Sequence, residues 1–111
     1  MHLNPDDKFA PLRKGLLEFA VLKVIAAKKA YAADILERLS RSEFKTQEGT
    51  LYPLLSKLRR DGLVEYEWEE SDAGPPRKYY SLTSAGIKHL EQLADYWDHL
   101  SETIINLGKR V

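Results

Sequence analysis

Five polar side chains between residues 47 and 60 are placed to do chemistry together: Gln47, Thr50, Tyr52, Lys57 and Arg60. An amide and two hydroxyls match the donors and acceptors on base edges, and two cations match phosphates. On this reading Gln47 and Thr50 take bases, Lys57 and Arg60 take phosphates, and Tyr52 either packs or gives its hydroxyl to a phosphate. Arg77 and Lys78 supply two more cations further on, directly after a predicted turn. The chemistry is recognition of a polyanion, not bond making. His2, His89 and His99 have no partner at i+3 or i+4, so no metal pair is expected. No nucleophile–base set, P-loop or glycine-rich dinucleotide loop is visible. No catalytic residue, metal or cofactor is expected.

The stretch Glu48 to Val64, EGTLYPLLSKLRRDGLV, must position the first group. Leu51, Leu54, Leu55 and Leu58 recur at i, i+3, i+4 and i+7, which puts four leucines on one side of a helix. The polar residues take the other side. Thr46 is the expected N-cap, and Gly62 is the expected stop, because glycine tolerates the left-handed backbone that ends a helix. Pro53 is costly in mid-helix, about 3 kcal/mol, so regular helix is expected to begin near Glu48 to Thr50, which keeps Pro53 close to the start.

The remaining elements follow from period and punctuation. A helix starting at Pro11 is apolar on nearly all sides through Ile25, so one side must meet something beyond its own chain. A second helix, about Ala32 to Arg41, has an inner stripe of Ala32, Ile35, Leu36 and Leu39 and no capping residue at its start. After Gly62 the period changes to 2: Val64 to Glu69 alternates apolar with acidic residues, as a half-buried strand does. Ser71 to Pro76 is the predicted turn and Arg77 to Leu82 the returning strand, with Tyr79 and Tyr80 on opposite faces. Thr83 caps a last helix to about Leu107. Its Leu90, Leu93, Trp97, Leu100, Ile104 and Leu107 step by 3, 4, 3, 4, 3, the spacing of a coiled-coil seam. The seam is expected to pair with the same helix of a second chain.

With 111 residues, 43% hydrophobic and 31% charged, the chain has room for one modest core. It lacks cysteine, which excludes disulfides and fits a cytoplasmic location. The first eleven residues hold no apolar run of the signal-peptide kind. No segment approaches the roughly 18 apolar residues of a membrane span, so no membrane partner is expected. Net charge is zero, with 17 bases against 17 acids, which argues mildly against a nucleic-acid partner. The charge is uneven, however: Arg41, Lys45, Lys57, Arg59 and Arg60 face only Glu43, Glu48 and Asp61 in that stretch, and all five charges of residues 65–72 are acidic.

Three helices, a hairpin and a trailing helix describe a mainly α fold with a small β-hairpin, a winged helix-turn-helix followed by a C-terminal dimerisation helix. The expected divisions are a flexible arm over 1–10, the DNA-binding domain over 11–82 and the dimerisation helix over 83–111. At the residue level, GTLYPLLSKLRRDGLVE followed by GPPRKYYSLTSAGIKHL closely resembles the PadR family of bacterial transcriptional regulators, from Lys14 onward. The length is similar to the compact subgroup with a single C-terminal helix, which includes multidrug-binding members. Where the family commonly has a His-Gly-Tyr-Glu-Ile-like start to its second helix, this chain has Tyr31-Ala32-Ala33-Asp34-Ile35. The resemblance implies a homodimeric repressor on a palindromic operator in double-stranded DNA, released by a small aromatic or drug-like effector. It also implies that Trp97, with Leu93 and Leu100 beside it, stacks on that effector, where ordinary dimer packing is the plainer role. The alternative reading is a winged-helix module that docks on protein and does not bind DNA.

Overall fold

The structure, a computed structural model, describes residues 7–110. Its elements are α1 (Ala10–Ala27), α2 (Ala32–Ser40), α3 (Glu48–Arg60), β1 (Val64–Ser71), β2 (Gly74–Leu82) and α4 (Ser84–Leu107). Four helices and one antiparallel hairpin give the expected winged helix-turn-helix with a trailing helix. Of the arm expected over 1–10, residues 1–6 lie outside the described residues. Just before α1 the Asp7 carboxylate accepts from the Phe9 N–H at 3.1 Å and pairs with Arg13 of α1.

One core holds the elements together. Val21, Leu22 and Ile25 of α1 meet Ile35 and Leu39 of α2 and Leu51, Leu55 and Leu58 of α3. The leucine stripe is thus buried as its spacing requires, with Leu54 half-buried at its margin. Val64 and Tyr80 close the core from the hairpin, so Tyr80 is the inward tyrosine of the pair. Between α1 and α2, Ala30 pairs with Tyr80 through two backbone hydrogen bonds of 3.1 and 2.8 Å, which stitches the hairpin to the helical body.

Three boundaries differ from the sequence reading. Gln47, not Thr46, is the N-cap of α3, and its side chain makes no capping bond. The predicted six-residue turn shrinks to Asp72 and Ala73, because both strands run further than alternation alone indicated. Pro75 and Pro76 belong to β2, where two residues oppose the single Glu70 between the Ser71–Gly74 and Glu69–Arg77 pairs. A bulge in a two-stranded sheet has no ladder partner waiting for a proline N–H, so proline is tolerated there. Pro53 lies inside α3, which starts at Glu48 as expected.

The element that orders the rest is the joint after α3. Gly62 takes φ +75°, the left-handed value that ends the helix. Thr83 then caps α4, accepting from the Gly86 N–H at 3.0 Å while its hydroxyl donates to the Gly62 carbonyl at 2.5 Å. The Thr83 N–H donates to the Leu63 carbonyl at 3.1 Å. Gly86 presses on that same carbonyl; a Cβ there would fall 1.9 Å from the Leu63 oxygen. This explains the Thr-x-x-Gly spacing physically. The radius of gyration is 16.2 Å, against about 13 Å for a compact chain of this length, because α4 runs out past the core.

Gly86→Ala must push α4 off the joint. Its unfolding midpoint in urea falls by an amount worth about 1–3 kcal/mol, the range for forced overpacking. Gly62→Ala, which strains only one backbone angle, costs about 1–2 kcal/mol.

Candidate nucleic-acid interface

The outer side of α3 is built by the burial of its inner side. With Leu51, Leu55 and Leu58 fixed inward, helical geometry puts Gly49, Pro53, Ser56 and Arg60 on the crest. Thr50 and Lys57 fall on the flank towards α1, and Tyr52 and Arg59 on the flank towards the hairpin. All eight are exposed. Gln47 stands at the open end of the helix with an uncommitted amide, while its backbone carbonyl accepts from the Thr50 and Leu51 N–H groups. The polar residues singled out in the sequence therefore share one exposed side of one helix.

Their electrostatic situations differ. Arg60 has no ion-pair partner among the described residues. Lys57 has two: Asp61 at 3.1 Å and Glu18 of α1 at 3.4 Å. The hydrogen bond to Asp61 first, and Glu18 second, hold its ammonium above the ordinary lysine range. A phosphate at Lys57 must compete with both carboxylates. On the α1 flank, Thr50 borders a shallow recess with Arg13, Lys14 and Lys45, cations the sequence reading did not single out because they lie outside the helix.

The hairpin separates the other two. In register, Trp68 faces Lys78, Tyr66 faces Tyr80, and Glu69 faces Arg77. Alternation then puts Lys78 on the Tyr80 side, towards α3, and Arg77 on the opposite side. Lys78 lies 4.5 Å from the Tyr66 ring centre and 5.4 Å from that of Trp68. Arg59 of α3 also reaches the Tyr66 ring, at 4.8 Å. Arg77 instead sits 4.4 Å over Tyr31, at the α1–α2 turn. Burial raises the pKa of the Tyr80 phenol; Tyr66 and Tyr52 push it the same way and Arg59 opposes. The sequence places Arg59 with Tyr52 at the edge of the polar side but not among the DNA contacts, because the neighbour of that flank, the hairpin, is supplied only by the fold.

Of the α4 seam, Leu90 is 9% exposed and part of the chain's own core, and Leu93 packs against that core. Trp97 and Leu100 are more open, and Ile104 and Leu107 stand free. Trp97 also lines an open groove of about 740 Å³ with Phe19, Val24, Leu39, Phe44 and Asp98. Leu93 and Leu100 do not line that groove. Among the described residues there is no group of three or more His, Cys, Asp or Glu able to hold a metal, and no helix long and apolar enough to cross a membrane.

Comparison with known proteins places this architecture. The sequence profile of the transcriptional regulator PadR-like family matches residues 21–92. A PadR-like transcription factor from Bacteroides fragilis is similar in structure, with 43% identity, TM-score 0.78, and coverage of 93% of this chain and 100% of that one. A PadR-like transcriptional regulator from Bacillus cereus has 32% identity and TM-score 0.81, covering 92% of this chain and 100% of its own. A transcriptional regulator of Mycobacterium tuberculosis is 32% identical over 74 residues, 67% of this chain and 68% of that protein.

The pairing of Lys57 yields a directional test. Glu18→Gln releases one restraint, so affinity for duplex DNA at low salt rises about two- to fivefold and the gain fades as salt screens it. Arg60→Ala lowers affinity and reduces the slope of log K against log salt by about one. Fluorescence anisotropy across a salt series measures both; a Glu18→Gln variant that binds no better would show that Lys57 does not meet phosphate.

Proposed function

The chain belongs to the PadR-like family of transcriptional regulators, and from that premise we propose that it works as a homodimeric repressor that two α3 helices seat on a palindromic operator. The DNA-binding reading rests on the exposed polar side of α3, with Gln47, Thr50 and Arg60 unencumbered by other side chains. The observation that carries the dimer is the bare apolar stripe on the far half of α4, where Ile104 is 63% and Leu107 80% exposed. A helix apolar along one side and free of its own domain is a surface for a second copy. Two-fold pairing along α4 would set the α3 helices about one DNA turn apart, the spacing that half-sites require. The protein would act on cytoplasmic DNA.

Release by a small effector is the second part of the proposal. Trp97 offers an indole face at the rim of a largely apolar groove that Lys23, Arg38 and Asp98 also line. Planar aromatic guests match the indole face, and the charges of both signs at the rim leave the sign of the guest's own charge to the titration.

Light scattering at micromolar concentration is expected to give twice the mass of one chain. The double substitution Leu100→Asp and Ile104→Asp touches only the open part of the stripe, so it yields a folded monomer by circular dichroism. Binding to a palindromic fragment from upstream of the chain's own coding region then falls by at least about a hundredfold, since each half-site must bind alone. A folded wild-type monomer would end the model. Wild-type binding that does not weaken with salt would favour the protein-docking alternative.

In a Trp68→Phe background, titration with planar aromatic cations or anions is expected to quench Trp97 emission and weaken operator binding in parallel. Quenching with unchanged operator affinity would remove the effector role and leave only a ligand site.

A further inference from the structure

The hairpin is tied to the helical body firmly at its base and lightly beyond it. At the base Ala30 pairs with Tyr80 through backbone hydrogen bonds, and Tyr80 enters the core. Towards the tip the ladder continues to Ser71 and Gly74, with no third strand beside it among the described residues. A two-stranded ribbon is weakly held on its own, so its angle depends on what touches its faces. On the face turned away from α3, those contacts come from the connection between α1 and α2. Lys29 pairs with Glu69 at 2.6 Å. The Tyr31 ring lies under the Arg77 guanidinium at 4.4 Å and meets the Tyr79 ring edge-on at 5.3 Å.

Tyr31 is the N-cap of α2, yet its side chain makes no capping bond, so α2 does not account for the ring. It opens the stretch in which this chain departs from the pattern common in the family, Tyr31-Ala32-Ala33-Asp34-Ile35. Arg77 has no ion-pair partner among the described residues. Glu69, opposite it in register, is engaged by Lys29. Glu65 and Glu67 share its face and are exposed. A phosphate approaching Arg77 from this side would meet those carboxylates first.

We propose that Tyr31 and Arg77 form a clasp that sets the angle of the hairpin to α3, and that both are positioning residues for DNA binding although neither touches DNA. The proposal rests on the DNA-binding reading above. It gives Arg77 a different part from the phosphate contact that the sequence suggested. The opposite face of the hairpin carries Lys78, so a change of tilt moves that charge relative to α3. A guanidinium is weakly hydrated and stacks on a flat ring without needing a carboxylate. The clasp therefore holds at ionic strengths that loosen the exposed Lys29–Glu69 pair.

A mixed-sequence duplex about three helical turns long, at low ionic strength, is the probe, read by fluorescence anisotropy. Tyr31→Leu and Arg77→Gln are each expected to weaken binding about two- to fivefold. The double variant is expected to bind no worse than either single one, because each substitution already opens the clasp. The slope of log K against log salt stays at the wild-type value in all three, since no phosphate contact is lost. Tyr31→Phe keeps the ring and binds like the wild type. Without DNA, amide hydrogen exchange of residues 67–79 quickens in Tyr31→Leu and in Arg77→Gln, while that of α1 and α3 does not change. A salt slope that falls by about one in Arg77→Gln, or losses at the two positions that add, would overturn the clasp and leave DNA binding intact. Unchanged affinity in both single variants, or hairpin exchange that does not quicken, would overturn it too. If the wild-type protein binds no duplex, the DNA-binding reading itself fails and the clasp fails with it.

Discussion

The carbonyl of Leu63 is where the reading helix, the hairpin and the tail helix are tied. It accepts from the Thr83 N–H at 3.1 Å, and the Leu63 N–H donates to Leu58 at 3.0 Å, so the residue is bonded on both sides. Gly86 lies so close to this carbonyl that no larger residue fits. Three constraints of different kinds coincide here: a left-handed residue at Gly62, a hydroxyl at Thr83 that both donates and accepts, and the lack of a side chain at Gly86. Each is needed because the hairpin must return to the end of α3 before α4 can start. The consequence is mechanical. The end of α3, the start of the hairpin and the start of α4 are all tied to one small piece of backbone by hydrogen bonds and a close approach.

That joint also decides how charge is distributed. A chain with zero net charge is a poor candidate for DNA by total alone, yet screening confines each charge to about 8 Å at physiological ionic strength. What a duplex meets is therefore the local arrangement. Because the hairpin is pinned with Tyr80 inward, strand alternation turns Glu65, Glu67 and Glu69 away from α3 and turns Lys78 towards it. The acidic excess of β1 is real but faces the other way. The remaining restraint on the reading side is Glu18 and Asp61 at Lys57, which keeps part of the positive charge engaged in the free protein.

Much of this was legible in the sequence, for identifiable reasons. Leu51 to Leu58 could be placed inward because a period of 3.6 has one apolar solution, and Val64 to Trp68 because a period of 2 has another. The Thr83 cap is local chemistry and was also readable. What escaped is what needs a second element. Ala30 carries no pattern, and its pairing with Tyr80 exists only once the hairpin folds over α1. Pro75 and Pro76 read as turn because a bulge cannot be told from a loop without the facing strand. Of the two partners of Lys57, Asp61 at i+4 is legible from spacing, whereas Glu18, 39 residues away, is not. Arg77 and Lys78 read together as cations after the turn; alternation separates them, but which of the two faces α3 is known only once the fold turns Tyr80 inward.

The tail helix shows most clearly how far a period can carry. Leu90 through Leu107 form one unbroken seam in the sequence, but the structure gives its two halves different partners. Leu90 and Leu93 are spent on the chain's own core, and from Trp97 onwards the stripe stands clear of it. Repetition reports that a face is apolar, not what covers it. Trp97 sits at the changeover, bordering a groove walled by α1, the end of α2 and α4 itself. A guest there touches the helix proposed to join two copies and two of the helices on which α3 rests. It shifts the balance between dimer arrangements only so far as it binds one of them more tightly. The ties at the Leu63 joint are what would turn such a preference, expressed as an angle of α4, into a change in the separation of the two reading helices.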